Sequence, residues 1–341
     1  NMRCLICTTP IHNSRLGIDC CRACAAFYKR SENLYDQLKC KSRTNKCLEK
    51  DPKISCRKCR LVRCREVISR AGQNSTVIEV KDTELTNSET PLLDRIRKGY
   101  SFMCVIRRCG ERPLTEEYKG DGEVRTRNLV LTPASYSTML PIVSIEKKAL
   151  FECANHSFEE FRSLEDKTKG QIIENGLLLI DVLESTYRAC HYFPDEMKIR
   201  LSGYTTYIRS TDVEKFLENC PDDIYKSKLI QGFKQTLSQL SKIVRQQFAI
   251  VQPTDTEFIA LFGLGLWKEE NVKHDENLVK IASQVRSNIL RDLRFYYAKK
   301  GTSNYAYRLG SLFCLLMNCQ DCSTLFNEDF RLFRLFNLFD S

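Results

Sequence analysis

From about residue 90 onward, apolar residues return at helical spacing. Leu93, Ile96, Tyr100 and Met103 form a first stripe, and Ile173, Leu177 and Ile180 a second. Ile230, Phe233, Leu237, Leu240, Val244, Phe248 and Val251 make the longest one. Ile281, Val285, Ile289 and Tyr296 follow, then Tyr305, Leu309, Leu312 and Leu316. An irregular stretch with Pro113, Gly120, Gly122 and Pro133 separates the first stripe from the rest. Period-2 alternation is scarce, so the pattern predicts a mostly helical domain over residues 90–341. The segment AGQNSTVIEVKDTELTNSET before it is polar and lacks aromatics, which reads as a flexible hinge over 71–89. Residues 1–70 show no such stripes and must be held together differently.

At 341 residues the chain has room for two domains, each with its own core. No run approaches the roughly 18 apolar residues of a spanning helix; the richest, Gly176 to Val182, is broken by Asp181, so no membrane association is expected. The opening NMRCLIC lacks the charged-then-apolar pattern of a signal peptide. A reducing compartment, cytosol or nucleus, is the expectation. Charge is uneven: residues 1–70 hold 17 Lys and Arg against 6 Asp and Glu, an excess of +11, which leaves −1 for the remainder. Ten of the 18 cysteines lie in the same 70 residues. In a reducing compartment that density argues for metal ligation before disulfides.

The spacing supports this. Cys4 and Cys7 form C-x2-C, and after thirteen residues Cys21 and Cys24 form another. Each knuckle supplies two thiolates from one tight turn, so two knuckles complete a tetrahedral zinc site. Cys40, Cys47, Cys56 and Cys59 make a second set, and two zinc ions are expected. Cys20 and Cys64 are left over and read as buried neutral thiols. In CRACAAFYKR, a helix opening at Cys21 places Arg22, Ala25 or Ala26, and Lys29 on one face with Arg30 beside them. Phe27 points elsewhere, toward a second helix through Leu61 and Cys64. A small, basic outer face suits the major groove of DNA, where Arg and Lys reach guanine edges and phosphates and alanines permit close approach.

C-x2-C-x13-C-x2-C followed by an aromatic pair and Lys-Arg, then a second four-cysteine finger ending CRKCRLVRC, resembles the DNA-binding domain of the nuclear hormone receptors. CRACAAFYKR is especially similar to the divergent nematode set. The resemblance implies that a helix from about Cys21 to Gln37 reads DNA, with Arg22, Ala23 and Ala26 at the specificity positions and Lys29 and Arg30 on bases or phosphates. It also implies DNA contacts from Arg15 and, on the backbone, from Arg57, Arg60 and Arg63. There are two departures. Ala25 stands where most receptors carry a lysine, which removes a common guanine contact. The second finger reads C-x6-C-x8-C where C-x5-C-x9-C is usual, so the loop KSRTNK, a frequent pairing surface in related receptors, is altered.

The later part carries its own resemblance. FEEFRSLEDK leading into QIIENGLLLIDVLESTYRA is similar to the receptor ligand-binding-domain signature, and NYAYRLGSLFCLL to its penultimate long helix. The implied fold is an all-α three-layer helical sandwich, of the kind that can enclose an apolar pocket for a small lipophilic ligand. The tail, FNEDFRLFRLFNLFDS, places Phe330, Phe333 and Phe336 on one helical side and Leu332, Leu335 and Phe339 on another. Resemblance implies a switch helix around Leu335, Phe336, Leu338 and Phe339 that docks coactivator or corepressor helices; a permanently docked core helix is the other reading. Asn337 stands where an acidic residue is expected, and Leu150 to Phe161 lacks the usual lysine.

Other chemistry is thin. Cys319 and Cys322 form CQDC without a second pair and read as structural cysteines. His12, His156, His191 and His274 are far apart, and no Gly-rich phosphate loop appears. The expectation is a nuclear, non-enzymatic, zinc-dependent DNA-binding transcription regulator, acting alone or as a homo- or heterodimer. Two readings compete with it: a zinc-based protein-interaction adaptor with interleaved sites, and a receptor-like dimer partner whose DNA reading has degenerated.

Overall fold

A computed structural model of the chain describes residues 3–4, 6–10, 20–31, 38–40, 42, 47, 56–74, 90–116, 122–125, 129–218, 220, 226–273, 275–302 and 304–335. The chain separates into two compact units, one mainly Asn1–Glu79, the other mainly Val80–Val124 and Val130–Ser341.

The first unit holds two described helices, α1 (Arg22–Ser31) and α2 (Arg57–Asn74), which pack on each other. Its small core is built from Cys4, Ile6, Cys20, Cys24, Ala25, Cys64 and Val67. Among the described residues, four of the seven in this core are cysteines, so thiols make up much of what these residues bury. Helix α2 runs on past residue 70 to Asn74, into the segment expected to be hinge.

The second unit is helical: α3 (Pro91–Glu116), α4 (Tyr136–Ser157), α5 (Glu159–Arg162), α6 (Asp166–Tyr192), α7 (Val213–Phe216), α8 (Lys226–Gln239), α9 (Gln246–Val251), α10 (Asp255–Leu266), α11 (Glu269–Val272), α12 (Glu276–Lys300) and α13 (Tyr305–Leu335). It is not all-α. Four short strands, β1 (Val124–Arg125), β2 (Val130–Pro133), β3 (Ile199–Leu201) and β4 (Thr206–Arg209), form a sheet in the order β1-β2-β4-β3. β2 pairs parallel to β4 with Thr132 opposite Thr206, and β3 pairs antiparallel to β4 with Arg200 opposite Ile208. Strands of two to four residues are too short to show alternation in sequence.

Helices α6 and α10 form the middle of the unit. Residues 179–186 of α6 and 257–266 of α10 are buried on every face. Around them pack α4, α3, α12 and α13. Among the described residues, no helix is long and apolar enough to cross a membrane. Helix ends are fixed by polar groups. Thr254 and Glu257 cap α10 reciprocally: Glu257 N donates to Thr254 Oγ1 at 3.3 Å, and Thr254 N donates to Glu257 Oε2 at 2.8 Å. Asp275 accepts from the first turn of α12, and Gly301, with φ of 65°, closes that helix in the left-handed region. The start of α3 is capped from a distance: Asp292 Oδ2 on α12 accepts from Leu92 N at 2.8 Å and Leu93 N at 3.3 Å. Between α8 and α9 the chain widens into a π-helical stretch, Leu240–Arg245, while the stripe Leu237, Leu240, Val244 and Phe248 stays buried.

Candidate nucleic-acid interface and metal centres

The eight cysteines gather into two groups. In one, the sulfurs of Cys4, Cys7, Cys21 and Cys24 all lie within 4.8 Å of one another; Cys40, Cys47, Cys56 and Cys59 do the same in the other. Cys7 and Cys21 are 3.6 Å apart, Cys40 and Cys47 3.5 Å, Cys40 and Cys59 3.6 Å, and Cys40 and Cys56 4.0 Å. A tetrahedron with zinc–sulfur arms of about 2.3 Å has corners about 3.8 Å apart, whereas disulfide sulfurs lie at about 2.05 Å. The donor set and its dimensions fit two zinc ions. Each group draws only on its own stretch of chain, contrary to the interleaving expected of an adaptor fold.

Local structure brings the ligands in. Cys4 accepts from Thr8 N at 2.8 Å and donates its own N–H to Thr9 O at 2.8 Å, with Thr8 held at φ 58°, and this tight turn presents Cys4 and Cys7 together. Cys21 and Cys56 stand at the starts of α1 and α2, their carbonyls accepting from Ala25 N and Arg60 N. Cys24 and Cys59 lie one turn inside. Helix N-termini favour thiolates there. Burial pushes the Cys24 thiol up against the hydrogen bond from Arg60, and pushes Cys59 up to about 12. Cys7 is lowered to about 6, because hydrogen bonds from Thr9 and from Cys4 and Cys24 outweigh its burial. A bound cation lets neighbouring thiols such as Cys24 and Cys59, which burial pushes up, ionise beside one another. Cys20 and Cys64 fall outside both groups, wholly buried in the finger core, and burial pushes Cys64 up to about 11.

Among the described side chains of α1, the exposed ones are Arg22, Ala23, Ala26 and Arg30, with Arg30 Nε donating to Ala26 O at 3.2 Å. Ala25 corrects the expected face: it is 7% exposed, packed among Cys4, Cys24 and Cys64, so Ala26 alone of that pair looks outward. Lys29 lies on α1, but its side chain, like Arg15, is outside the described residues. On α2, Arg57 is exposed and Arg63 half-buried. Arg60 is half-buried too, and it faces the first finger instead of standing free: its Nη2 donates to Cys24 Sγ at 3.2 Å, and its guanidinium lies 4.6 Å from the Phe27 ring centroid. Nothing in the sequence pattern distinguishes it from Arg57.

The second unit encloses a buried charged network that the spacing of its residues does not announce. Arg107 and Glu111 from α3, Glu146 from α4, Asp181, Glu184 and Arg188 from α6, and Arg200 from β3 are all buried. Arg107 Nη1 lies 3.1 Å from Glu184 and 3.2 Å from Glu146. Asp181 pairs with Arg200. Glu111 Oε2 accepts from Tyr204 N, Thr205 N and Thr205 Oγ1, which pins the β3–β4 turn, and any side chain at Gly203 would meet that oxygen at 2.8 Å. The expected switch segment is reached only at its first residue: Leu335 ends the unbroken helix α13, and Phe336, Leu338 and Phe339 lie outside the described residues.

Comparison with known proteins gives the family. Residues 2–70 match the family model described as a double treble clef zinc finger of C4 type, and residues 127–336 match that of the ligand-binding domain of nuclear hormone receptor. Relatives from Caenorhabditis elegans align over nearly the whole chain. "Nuclear hormone receptor family member nhr-53" is 25% identical over 98% of this chain and 90% of its own length. "Nuclear hormone receptor family member nhr-16" is 23% identical over 99% and 94%, and "High zinc activated nuclear receptor protein" 21% identical over 99% and 90%. With two Cys4 groups compatible with two zinc ions and a helical second unit, the chain belongs to the nuclear hormone receptor family and is a transcription factor of that type.

Proposed function

We propose that residues 1–70 bind a double-stranded DNA response element, with two zinc ions held by Cys4, Cys7, Cys21 and Cys24 and by Cys40, Cys47, Cys56 and Cys59. Helix α1 enters the major groove. Arg22 reads a base edge, Ala23 and Ala26 allow close approach, and Lys29 and Arg30 meet bases or phosphates. Arg57 and Arg63 of α2, with Arg15, add sequence-independent attraction. What carries this reading is the exposed Arg22, Ala23, Ala26 and Arg30 on a helix whose first turn bears Cys21 and Cys24. Residues 90–341 supply regulation by a small lipophilic ligand, by coactivator or corepressor helices near Leu335, Phe336, Leu338 and Phe339, and by pairing with a second receptor. The protein acts in the nucleus, and no catalysis is assigned to it. Arg22→Ala tests the central part: it should weaken binding to a selected duplex by about 1–3 kcal/mol and change random-sequence binding far less. Equal losses on both duplexes would remove base reading from Arg22.

A further inference from the structure

Arg60 is one side chain that touches both a sulfur of the first metal group and a ring of the helix that follows. Its Nη2 donates to Cys24 Sγ at 3.2 Å while its guanidinium covers Phe27 at 4.6 Å. Cys24 and Phe27 are three residues apart on α1, so Arg60, projecting from α2, spans a full turn of that helix. Its Nε is shut away from solvent with no hydrogen-bond partner. A residue meant for phosphate would keep its donors outward, as exposed Arg57 can one turn earlier on the same helix. An arginine is the side chain that can do both jobs here, since its flat cation stacks on a ring and its fork still donates to an anionic sulfur.

We propose that Arg60 is a positioning residue. It ties the first turn of α1 to α2 through Cys24 and Phe27, steadies the first cysteine group, and so sets the aim of the Arg22–Ala26 face. Its DNA consequence rests on the reading of α1 given above; its effect on the first metal group does not.

The test uses the full chain loaded with two zinc ions, as wild type, Arg60→Gln, Arg60→Lys and Arg57→Gln. Each is exposed to a chelator together with a thiol-alkylating reagent, and peptide mass spectrometry follows which cysteines react first. Binding to a duplex recovered by the wild-type chain from randomised DNA is then titrated against salt. In Arg60→Gln, Cys4, Cys7, Cys21 and Cys24 should react about tenfold sooner, the scale expected when the partner of a metal ligand is lost, with the second group lagging behind. Arg60→Lys keeps the charge without the fork and should fall between, which decides the matter if the glutamine variant does not fold. The salt slope of Arg60→Lys and Arg60→Gln should match wild type, whereas Arg57→Gln should keep its cysteines protected and lose about 0.9 from the slope. Unchanged protection of the first group, equal loss from both groups, or a slope lowered by about 0.9 in the Arg60 variants overturns the proposal. Failure to recover any duplex would count against DNA reading alone, and the alkylation order would still decide the role of Arg60.

Discussion

Nη1 of Arg107 lies 3.2 Å from the Glu146 carboxylate in the interior of the second unit, with the two residues only 1% and 5% exposed. Arg107 is also shared with Glu184 and Glu111, so Glu146 has a part claim on one cation. Burial pushes Glu146 up to about 8; Arg107 opposes this, and Asp181, Glu184 and Glu111 add to it. Glu184, by contrast, stays below the ordinary carboxylate range despite its burial, because Arg188 and Arg107 flank it.

A carboxyl group that is protonated when folded and ionised when unfolded costs stability as pH rises. The Glu146 contribution is fully present below about 4.3 and is lost as pH climbs to about 8. Glu146→Gln should therefore flatten the fall in melting temperature over that range and melt higher than wild type at pH 8. An equal or steeper fall in the variant would assign the proton elsewhere.

Glu257 behaves in the opposite sense. Its burial works against ionisation, but Arg308, the Thr254 backbone and Tyr297 outweigh this and hold it at about 2. Arg308 Nε and Nη2 each donate to it at 2.7 Å, and Tyr297 at 2.8 Å. The depressed value is worth about 3 kcal/mol above pH 4.3, lost as pH falls toward about 2. Arg308→Met leaves that carboxylate buried without its cation, and a loss of about 3–5 kcal/mol in denaturant unfolding at pH 7 is expected. A loss below about 1 kcal/mol would mean that the pair is not sustained in solution.

The sequence was most legible where chemistry fixes spacing. The eight cysteines declare their groups because a zinc tetrahedron demands paired thiolates from tight turns. Stripes such as Val285 and Ile289 declared α12 because that helix has one wet side. Helix α10 declared nothing: FIALFGLGL is apolar without a period, since the helix is buried on every face. The π-helical turn at Leu240–Arg245 was hidden by an unbroken stripe. Asp181, interrupting an apolar run, was the visible sign of the buried network, whose other members come from α3, α4 and β3 as well as from α6 itself. Ala25 and Ala26 were indistinguishable by spacing, because a helical face is uncertain by one residue until the packing is known.

Metal removal should separate the two units. Native mass spectrometry of the full chain is expected to show two zinc ions, and chelation should abolish the circular dichroism of α1 and α2 while the second unit keeps its own cooperative melt. A single zinc ion would remove the assignment of Cys40, Cys47, Cys56 and Cys59.

The end of the chain offers a further check. Removing residues 336–341 should leave the second unit's melting temperature within a few degrees of wild type and weaken binding of coactivator helices. Aggregation or a fall of ten degrees or more would favour a docked core element over a switch.

On the proposal above, this chain reads DNA sequence through a zinc-pinned α1. Selection of bound duplexes from fully randomised DNA, run in parallel with the zinc-loaded full chain, the chelated chain and Arg22→Ala, tests it most directly. One enriched motif is expected with the loaded wild type, none after chelation, and relaxed preference confined to one or two positions with Arg22→Ala. No enrichment by the loaded wild-type chain, or the same motif from the chelated one, would contradict it.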